Sequence, residues 1–269
     1  MKKRMTAAIL GAAMTLTTLM GSSVYASKID DIKEAGTLVV GTSADYPPYE
    51  FHKEVDGEDT IVGFDMAFAR YFADSLGVEL KIVDMNFDSL LISLNKGDFD
   101  IVLAGMTPNE EREQVVDFSQ ELFNNQQVAI IRKEDAETLT ETASFAGVKS
   151  TAQTGSVQID IANEVCGEEN VVGLVKFQDM IMELKNKKVD AVFTNSLISA
   201  AYLSTNEDLT KVTLDEKYFN KKGFAVAIQK GNEDFVEYIN EQIDAMREAG
   251  LIDQYIAEAQ LLAGIDGEE

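Results

Sequence analysis

Residues 87–112 read FDSLLISLNKGDFDIVLAGMTPNEER and contain the most informative fold signals of the chain. The apolar spacing of residues 87–94 predicts a helix that stops near Gly97. The run of residues 101–103 is short and apolar, as is typical of a buried strand. A helix, a turn and a strand in succession indicate one unit of an α/β fold.

The end of this stretch has the pattern of a second helix start. Thr107 fits the N-cap position and Pro108 the first helical position. Glu110 stands where it would complete a capping box with Thr107. We therefore predict that a helix begins after Thr107 and carries Arg112 in its first turns.

The same unit recurs 90 residues further along the chain. The matching segments are residues 87–94 with 177–184, and residues 98–103 with 188–193. Chance similarity is an alternative explanation, because units of this kind are common. Gly105 and Asn195 follow the two strands at equivalent places, and open α/β sheets bind ligands at the carboxyl ends of strands. Both residues are therefore candidate ligand contacts.

On both sides of residues 87–112, predicted strands and helices alternate through most of the chain, which favours an α/β sheet. A helix from Phe64 has one apolar stripe and ends at Gly77, and another opens at Ser156. The remaining predicted elements are strands at residues 38–41, 78–83, 128–131 and 224–228, and helices at 232–249 and 252–262.

The first 26 residues predict a secretion signal. Lys2, Lys3 and Arg4 precede a mostly small and apolar run from Thr6 to Gly21, and small residues follow up to Ala26. A membrane anchor is the alternative, but the run is shorter than the roughly 20 apolar residues that a span needs. Ser22 stands where a lipoprotein signal has its lipidated cysteine. We therefore expect a soluble exported protein, periplasmic or extracellular.

Charge and cysteine content exclude several function classes. The chain has a formal charge of −24, which becomes −27 without the three basic residues of the signal. Nucleic-acid binding is therefore not expected, because phosphate contacts need clustered cations. The lone Cys166 and the lone His52 favour neither a disulfide nor a metal site. A Cys–His catalytic pair is possible in principle, but a packing residue and a loop residue explain the two more simply.

Several motifs in a fixed order give the chain its family resemblance. They are GTSADYPPYEF at residues 41–51, GFDM at 63–66, AGMT at 104–107 with Arg112, DFS at 117–119 and AQTGS at 152–156. Together they resemble solute-binding protein family three, the extracellular amino-acid-binding proteins of polar amino-acid ABC uptake systems. The motifs extend over much of the chain that follows the signal.

The resemblance implies a type II periplasmic-binding-protein fold, with two α/β lobes joined by two hinge strands and the ligand between them. Each lobe has a central sheet flanked by helices. By this similarity, residues 37–126 and 229–262 form lobe 1, and residues 127–228 form lobe 2. Val128–Ile131 and Phe224–Ile228 are then expected near the hinge.

The resemblance also implies a carboxylate site on lobe 1. Arg112 matches the family arginine that holds the ligand carboxylate, and a guanidinium offers a planar bidentate fork for that group. An anion is also favoured near a helix N-terminus, where we expect Arg112. Thr107 and the backbone N–H of Gly105 match the other carboxylate donors. Without the resemblance, a solvated arginine among acidic neighbours would be the simpler interpretation.

Aromatic and second-lobe contacts follow from the same similarity. Tyr46 and Phe87 match the aromatic residues that enclose the ligand's aliphatic part, although Phe87 could equally be a core residue. Gln153 and Ser156 match contacts that lobe 2 adds when the cleft closes.

Asn195 departs from the family pattern, because many members have an aspartate there that accepts the ligand's ammonium group. Asn195 has a carbonyl oxygen but no charge, so a buried ammonium would lose much of its stabilisation. Three explanations stay open: another carboxylate such as Asp45 or Glu50 compensates, the ligand's nitrogen is substituted or absent, or the site is weak.

The resemblance implies that the protein captures an amino acid or an analogue and delivers it to an ABC permease. We expect a monomer without a cofactor or a bound metal, and without enzymatic activity. A ligand sensor for a membrane receptor is one alternative. A dehydratase-like enzyme on the same fold is another, and it would need a general acid or base such as Glu50 or Asp45 in the cleft. The sequence does not identify the ligand.

Overall fold

The structure is a computed structural model that describes residues 27–219 and 223–265. The predicted secretion signal and the last four residues of the tail lie outside the described residues. The strands are β1 (Thr37–Thr42), β2 (Asp45–Tyr46), β3 (Glu50–Val55), β4 (Glu58–Val62), β5 (Glu79–Asp84), β6 (Ile101–Val102), β7 (Val116–Phe118), β8 (Gln127–Arg132), β9 (Ser150–Gln153), β10 (Val171–Leu174), β11 (Ala191–Asn195), β12 (Leu209–Thr213) and β13 (Ala227–Gln229). The helices are α1 (Lys28–Ala35), α2 (Phe64–Leu76), α3 (Leu90–Lys96), α4 (Arg112–Val115), α5 (Val157–Cys166), α6 (Phe177–Lys185), α7 (Ser196–Thr205), α8 (Glu233–Glu248) and α9 (Leu251–Leu262).

Two five-stranded sheets form the centres of the two lobes. The first has the order β5-β1-β6-β13-β7, and the second has the order β10-β9-β11-β8-β12. In each sheet three neighbouring strands run parallel, and an antiparallel strand is inserted beside them: β13 in the first sheet and β8 in the second. The predicted α/β class is therefore confirmed.

Helices cover both sheets with apolar faces. Helix α2 packs against β1 and β5 and buries Phe64, Phe68 and Phe72, with α8 and α9 beside it. In the second sheet α5 and α6 pack on β9 and β11, α7 packs on β8, β11 and β12, and Phe177 and Phe193 are buried. The central strands are covered by helices and their residues are largely buried: β6 and the middle of β8 are apolar, whereas β9 carries the polar Ser150, Thr151 and Gln153.

The internal repeat is present in three dimensions. A 3₁₀ turn at Phe87–Ser89 leads into α3 before β6, and α6 occupies the same place before β11. Phe87 and Phe177 therefore stand at equivalent positions, each at the start of its helical segment. The repeat is not chance similarity, because both copies connect to the central region of a sheet.

The predicted helix start at Thr107 is wrong. Residues 107–109 have irregular backbone, and α4 begins at Arg112 and lasts only four residues. The side-chain oxygen of Asn109 accepts from the backbone N–H of Arg112 at 2.8 Å, so an asparagine two residues later performs the role that we assigned to Thr107. A helix this short also has little dipole, which removes the helix-terminus argument for an anion at Arg112.

The chain crosses between the sheets twice, after β7 and after β12. Phe123 and Phe224 form an isolated antiparallel bridge between the two crossing segments. The Phe224 ring packs against Tyr49 at 5.1 Å and Phe64 at 5.6 Å between ring centroids. Strand β13 belongs to the first sheet although it follows the second in the chain.

Within the described residues, no helix combines the length and apolar character required to traverse a bilayer.

Candidate functional site

Arg112 lies where the two lobes face each other and is only 8% exposed. Its guanidinium donates to the carbonyl oxygen of Thr107 in its own lobe and, at 2.8 Å, to the carbonyl oxygen of Gly155 in lobe 2. The guanidinium carbon stands 5.4 Å from the centre of the Phe87 ring. The predicted carboxylate anchor is therefore buried between the lobes and stacked on one of the predicted aromatic residues.

No carboxylate of the described residues forms an ion pair with Arg112. Its hydrogen bonds go to neutral carbonyl groups, while Asp160 and Glu111 act on it only at longer range. Burial lowers the pKa of Arg112 to about 10, and the two acids oppose that change. Burying a cation without a paired anion is costly, so the geometry favours an anionic ligand group at this place.

A cavity of about 290 Å³ borders Arg112. Phe87 and Met106 line it from lobe 1, and Gly155, Ser156 and Asp160 line it from lobe 2. Phe87 is also part of the lobe 1 core, which confirms the core interpretation, while its contact with a ligand stays a prediction.

A second, much narrower gap lies deeper between the lobes. Gly105 and Asn195, the two equivalent positions of the repeat, both line it, together with Thr107 and Tyr49. Gly105 has a φ of +53°, and a Cβ there would lie 3.0 Å from the Tyr49 ring, so this position needs glycine. The backbone N–H of Gly105 donates to Asp65 at 2.8 Å, which gives that N–H a partner within the protein.

Tyr46 joins the lobes through hydrogen bonds. The side-chain N–H of Asn195 donates to the Tyr46 hydroxyl at 3.1 Å, which leaves the Tyr46 proton for Thr194 at 3.3 Å. The Tyr46 ring also packs edge-on to Phe177 at 5.7 Å. Burial raises the pKa of Tyr46, so the hydroxyl is neutral at physiological pH.

The orientation of Asn195 is fixed by helix α7. Its side-chain oxygen accepts from the backbone N–H groups of Leu197 and Ile198 at 3.1 and 3.0 Å, as an N-cap does. The amide nitrogen is therefore the end that faces Tyr46 and the cleft. At this place the protein presents an N–H donor, where an aspartate would present an acceptor with a negative charge.

Asp45 is 8% exposed and also links the lobes, since its Oδ2 accepts from the backbone N–H of Phe177 at 2.9 Å. Its Oδ1 accepts from the Ser43 hydroxyl at 3.3 Å. Burial raises the pKa of Asp45, and the Phe177 bond opposes that change. Both oxygens have protein partners, which weakens the idea that Asp45 replaces an acid at position 195.

Gln153 and Ser156 lie on the lobe 2 side, as predicted from the similarity. The Ser156 hydroxyl donates to the carbonyl oxygen of Gln153 at 2.7 Å, and Ser156 lines the cavity beside Arg112. The Gln153 amide donates to the carbonyl oxygen of Val175 at 3.3 Å. Gln153 thus supports the loop that carries Ser156, and the structure gives it a partner away from Arg112.

Two glutamines that line the narrow gap were not predicted as site residues from the sequence. Gln127 and Gln158 are buried, and the side-chain N–H of Gln158 donates to the side-chain oxygen of Gln127 at 2.9 Å, while the side-chain nitrogen of Gln127 has no hydrogen-bond partner. Gln127 is a polar residue at the head of the apolar run of β8, and that contrast is the signal that could have identified it.

A pair of buried carboxyl groups lies behind the Gly105 loop. Glu50 is 1% exposed and Asp65 0% exposed, and neither oxygen of Glu50 has a donor from another group. Burial raises the pKa of Glu50 well above its usual range, and Asp65 raises it further. Burial likewise raises the pKa of Asp65 to about 7, opposed by the Gly105 N–H.

Comparison with known proteins places this geometry in a family. The model of the bacterial extracellular solute-binding proteins, family 3, matches residues 38–157. The arginine-binding extracellular protein ArtP of Bacillus subtilis is 28% identical over 256 residues, which cover 94% of this chain and 96% of that protein. The L-cystine-binding protein TcyJ of Escherichia coli is 28% identical over 257 residues, 91% of each chain.

Solved structures give the same result at the level of the fold. An amino acid ABC transporter substrate-binding protein of Streptococcus pneumoniae, bound to L-arginine, superposes with a TM-score of 0.83 at 33% identity, covering 88% of this chain and 100% of that one. An ancestral amino-acid-binding protein, described as a precursor of cyclohexadienyl dehydratase, has a TM-score of 0.78 at 29% identity, over 86% of this chain and 99% of that one. On its motifs, its two-lobed fold and these matches, the chain belongs to the bacterial extracellular solute-binding proteins, family 3.

Proposed function

We propose that the protein captures an amino acid between its lobes and delivers it to an ABC permease. The observation that carries the proposal is Arg112, a buried cation in the interlobe cleft whose described partners are neutral carbonyl groups. A ligand carboxylate supplies the missing charge and can accept two parallel N–H bonds from the guanidinium. The family relatives, which are named for arginine, histidine and cystine, support an amino-acid ligand.

Ligand entry requires Arg112 to release its lobe 2 partner. The bond to the Gly155 carbonyl is one of the hydrogen bonds that join the lobes, and we propose that it breaks when the cleft opens. The carboxylate then takes the freed N–H groups, while Phe87 and Tyr46 contact the remainder of the ligand and Ser156 joins them on closure. We propose that Thr107 donates a further hydrogen bond to the ligand carboxylate. Glycine at position 105 leaves space for the ligand beside Thr107.

The ligand's nitrogen meets donors and neutral acceptors in this cleft. Asn195 turns its N–H toward the gap, and both oxygens of Asp45 already have protein partners. We therefore propose that the nitrogen donates to uncharged acceptors such as the side-chain oxygens of Gln127 and Gln158. A ligand with a substituted or absent amino group fits the same arrangement, so the screen should include such compounds.

Isothermal titration with a panel of L-amino acids, N-acyl amino acids and 2-keto acids tests the proposal. For each compound that binds, we expect Arg112→Ala to cost about 2–5 kcal/mol, since it leaves a buried carboxylate unpaired. Arg70→Ala is the matched control, because Arg70 is an exposed arginine of the same lobe on α2. Equal affinity in Arg112→Ala and the wild type would refute this site.

The family supports a proposal about the protein's partners and location. We propose an exported, monomeric protein that is released after Ala26 and carries no lipid, consistent with the extracellular description of the family. The closed form, with lobes 37–126 plus 229–262 and 127–228 in contact, is proposed as the form that the permease recognises. Mass spectrometry of the secreted protein should give an unmodified N-terminus at Ser27.

We propose binding without catalysis. The acids considered for general acid–base work have structural partners, since Asp45 holds α6 and Glu50 lies against Asp65. The relative described as a precursor of a dehydratase makes the question worth a direct test. Compounds that bind should be recovered chemically unchanged after prolonged incubation, and a converted product would show an enzyme.

A further inference from the structure

Glu50 and Asp65 form a buried acidic pair that the proposed ligand contacts do not use. Glu50 is the first residue of β3, and Asp65 lies in the first turn of α2. Oδ2 of Asp65 accepts the Gly105 N–H at 2.8 Å. Its Oδ1 and both oxygens of Glu50 are buried and receive no hydrogen bond from any other group.

Among the described residues, the charged groups that act on Glu50 include no cation. The groups that act on Glu50 are Asp65, Asp45 and Asp84, all of them acids. The nearby phenols of Tyr46 and Tyr49 are buried and neutral, and each is itself influenced by Glu50. Two ionised carboxylates in contact, out of water and without a cation, are strongly disfavoured, so the pair must hold at least one proton.

The hydrogen-bond pattern shows where that proton belongs. Asp65 already accepts from a backbone N–H, which favours its ionised form, whereas Glu50 receives no donor that could stabilise a negative charge. A neutral carboxylic acid has one O–H donor. When Glu50 is the neutral acid, its O–H can donate to Oδ1 of Asp65, which receives no other hydrogen bond. The bond between them is then charge-assisted.

We propose that Glu50 is a positioning residue: as a neutral acid it donates its O–H to Asp65, and Asp65 in turn holds the Gly105 N–H and so fixes the loop at the cleft. The chain of contacts runs from Glu50 on β3, through Asp65 on α2, to the loop after β6. Gly105 begins the segment that leads through Thr107 to Arg112, whose guanidinium bonds back to Thr107. The location of the proton is independent of the proposed function, but the effect on affinity rests on it.

Infrared spectroscopy of the whole mature protein in heavy water tests the location of the proton. At about pH 9, where ordinary carboxyl groups are ionised, the wild type should retain the band of one protonated carboxyl group. Glu50→Gln should lose this band, while Glu54→Gln, an exposed glutamate on the same strand, should keep it. A wild type without the band, or a band that persists in Glu50→Gln, would overturn the proposal.

Titration with L-arginine as the probe tests the positioning role. Glutamine keeps an N–H donor in the place of the O–H, so Glu50→Gln should bind within about twofold of the wild type. Glu50→Met has a similar length and no donor, and it should bind about tenfold more weakly because Asp65 loses a partner. The backbone amide signal of Gly105 in nuclear magnetic resonance spectra should shift in Glu50→Met and stay in Glu50→Gln.

The outcomes separate this inference from the proposed function. If L-arginine does not bind the wild type, the Gly105 amide signal and the infrared band still report on the pair. If Glu50→Met fails to fold, the comparison of Glu50→Gln with Glu54→Gln decides. Equal affinity and equal Gly105 signals in Glu50→Met and Glu50→Gln would show that the donor positions nothing.

Discussion

The oxygen and the nitrogen of the Asn195 side-chain amide have different hydrogen-bond partners. The oxygen accepts two backbone N–H groups of α7, and the nitrogen donates across the cleft to Tyr46. Because the oxygen is committed to the helix, the side chain has no free acceptor for an ammonium group. At the scale of one residue, an amide in place of a carboxylate reverses the hydrogen-bonding character of this part of the cleft.

Asn195→Asp should therefore increase the affinity for free α-amino acids. One carboxylate oxygen can still cap α7, and the other provides a charged acceptor, for which hydrogen bonds contribute roughly 1.5–3 kcal/mol. We expect at least tenfold tighter binding in isothermal titration. Asn95→Asp, an exposed change of the same kind on α3, serves as the control. Unchanged affinity for α-amino acids in Asn195→Asp would contradict this assignment.

The Glu50–Asp65 pair should make stability depend on pH. The native pKa of Asp65 is raised to about 7, above its unfolded value near 4, so the native state keeps a proton that the unfolded chain releases. Stability from this group is complete below about pH 4 and is lost as the pH rises to about 7, by about 4 kcal/mol at most.

Urea denaturation at pH 5 and pH 8 measures the part of this loss that lies above pH 5. The double variant Glu50→Gln/Asp65→Asn cannot titrate at either position, and its amide groups can still form an N–H···O bond. We expect its stability to fall less than that of the wild type between the two pH values. Parallel pH profiles for both proteins would show that the pair contributes nothing.

At the scale of elements, helix α6 is held by a residue of the opposite lobe. Asp45, on β2, accepts from the backbone N–H of Phe177, the first residue of α6. The negative charge also complements the positive end of the helix dipole. An inter-lobe bond of this kind stabilises the closed arrangement specifically, because it breaks when the lobes separate.

Asp45→Ala should shift the ligand-free protein toward an open form. Losing a cap of this type costs about 1 kcal/mol, which corresponds to an increase of about fivefold in the open-to-closed ratio. The radius of gyration from small-angle X-ray scattering should rise. Asp31→Ala removes an exposed acid from the first turn of α1 without an inter-lobe contact, and its scattering should match the wild type. Identical curves for Asp45→Ala and Asp31→Ala would argue against this role.

At the scale of the whole molecule, the two lobes are joined both by the chain and by side chains. Strand β13 returns to the first sheet after the second sheet is complete, so the first sheet is built from two separate parts of the chain. Asp45 accepts a hydrogen bond across the cleft, and Tyr46 and Arg112 also form hydrogen bonds across it. A ligand between the lobes adds contacts to both and should couple their unfolding.

Differential scanning calorimetry can measure that coupling. A compound from the binding panel, present at 100 times its dissociation constant, should stabilise the protein by about 2.7 kcal/mol. Both lobes should then unfold in one transition at a higher temperature. Arg112→Ala should remove most of the shift. A ligand that moves one of two separate transitions and leaves the other unchanged would place the site within a single lobe.

The sequence by itself determined the α/β class, the repeated helix–turn–strand unit and the helices at residues 64–76, 233–248 and 251–262, and its family resemblance predicted a ligand-binding role for Arg112. These features follow from local periodicity, from turn residues and from motifs in a fixed order. Only the tertiary structure decided that Asn195 presents a donor to Tyr46 and that Gly105 is held by Asp65. Each of these depends on which atoms meet when separate parts of the chain are packed together without water, and a local sequence pattern has no information about those meetings.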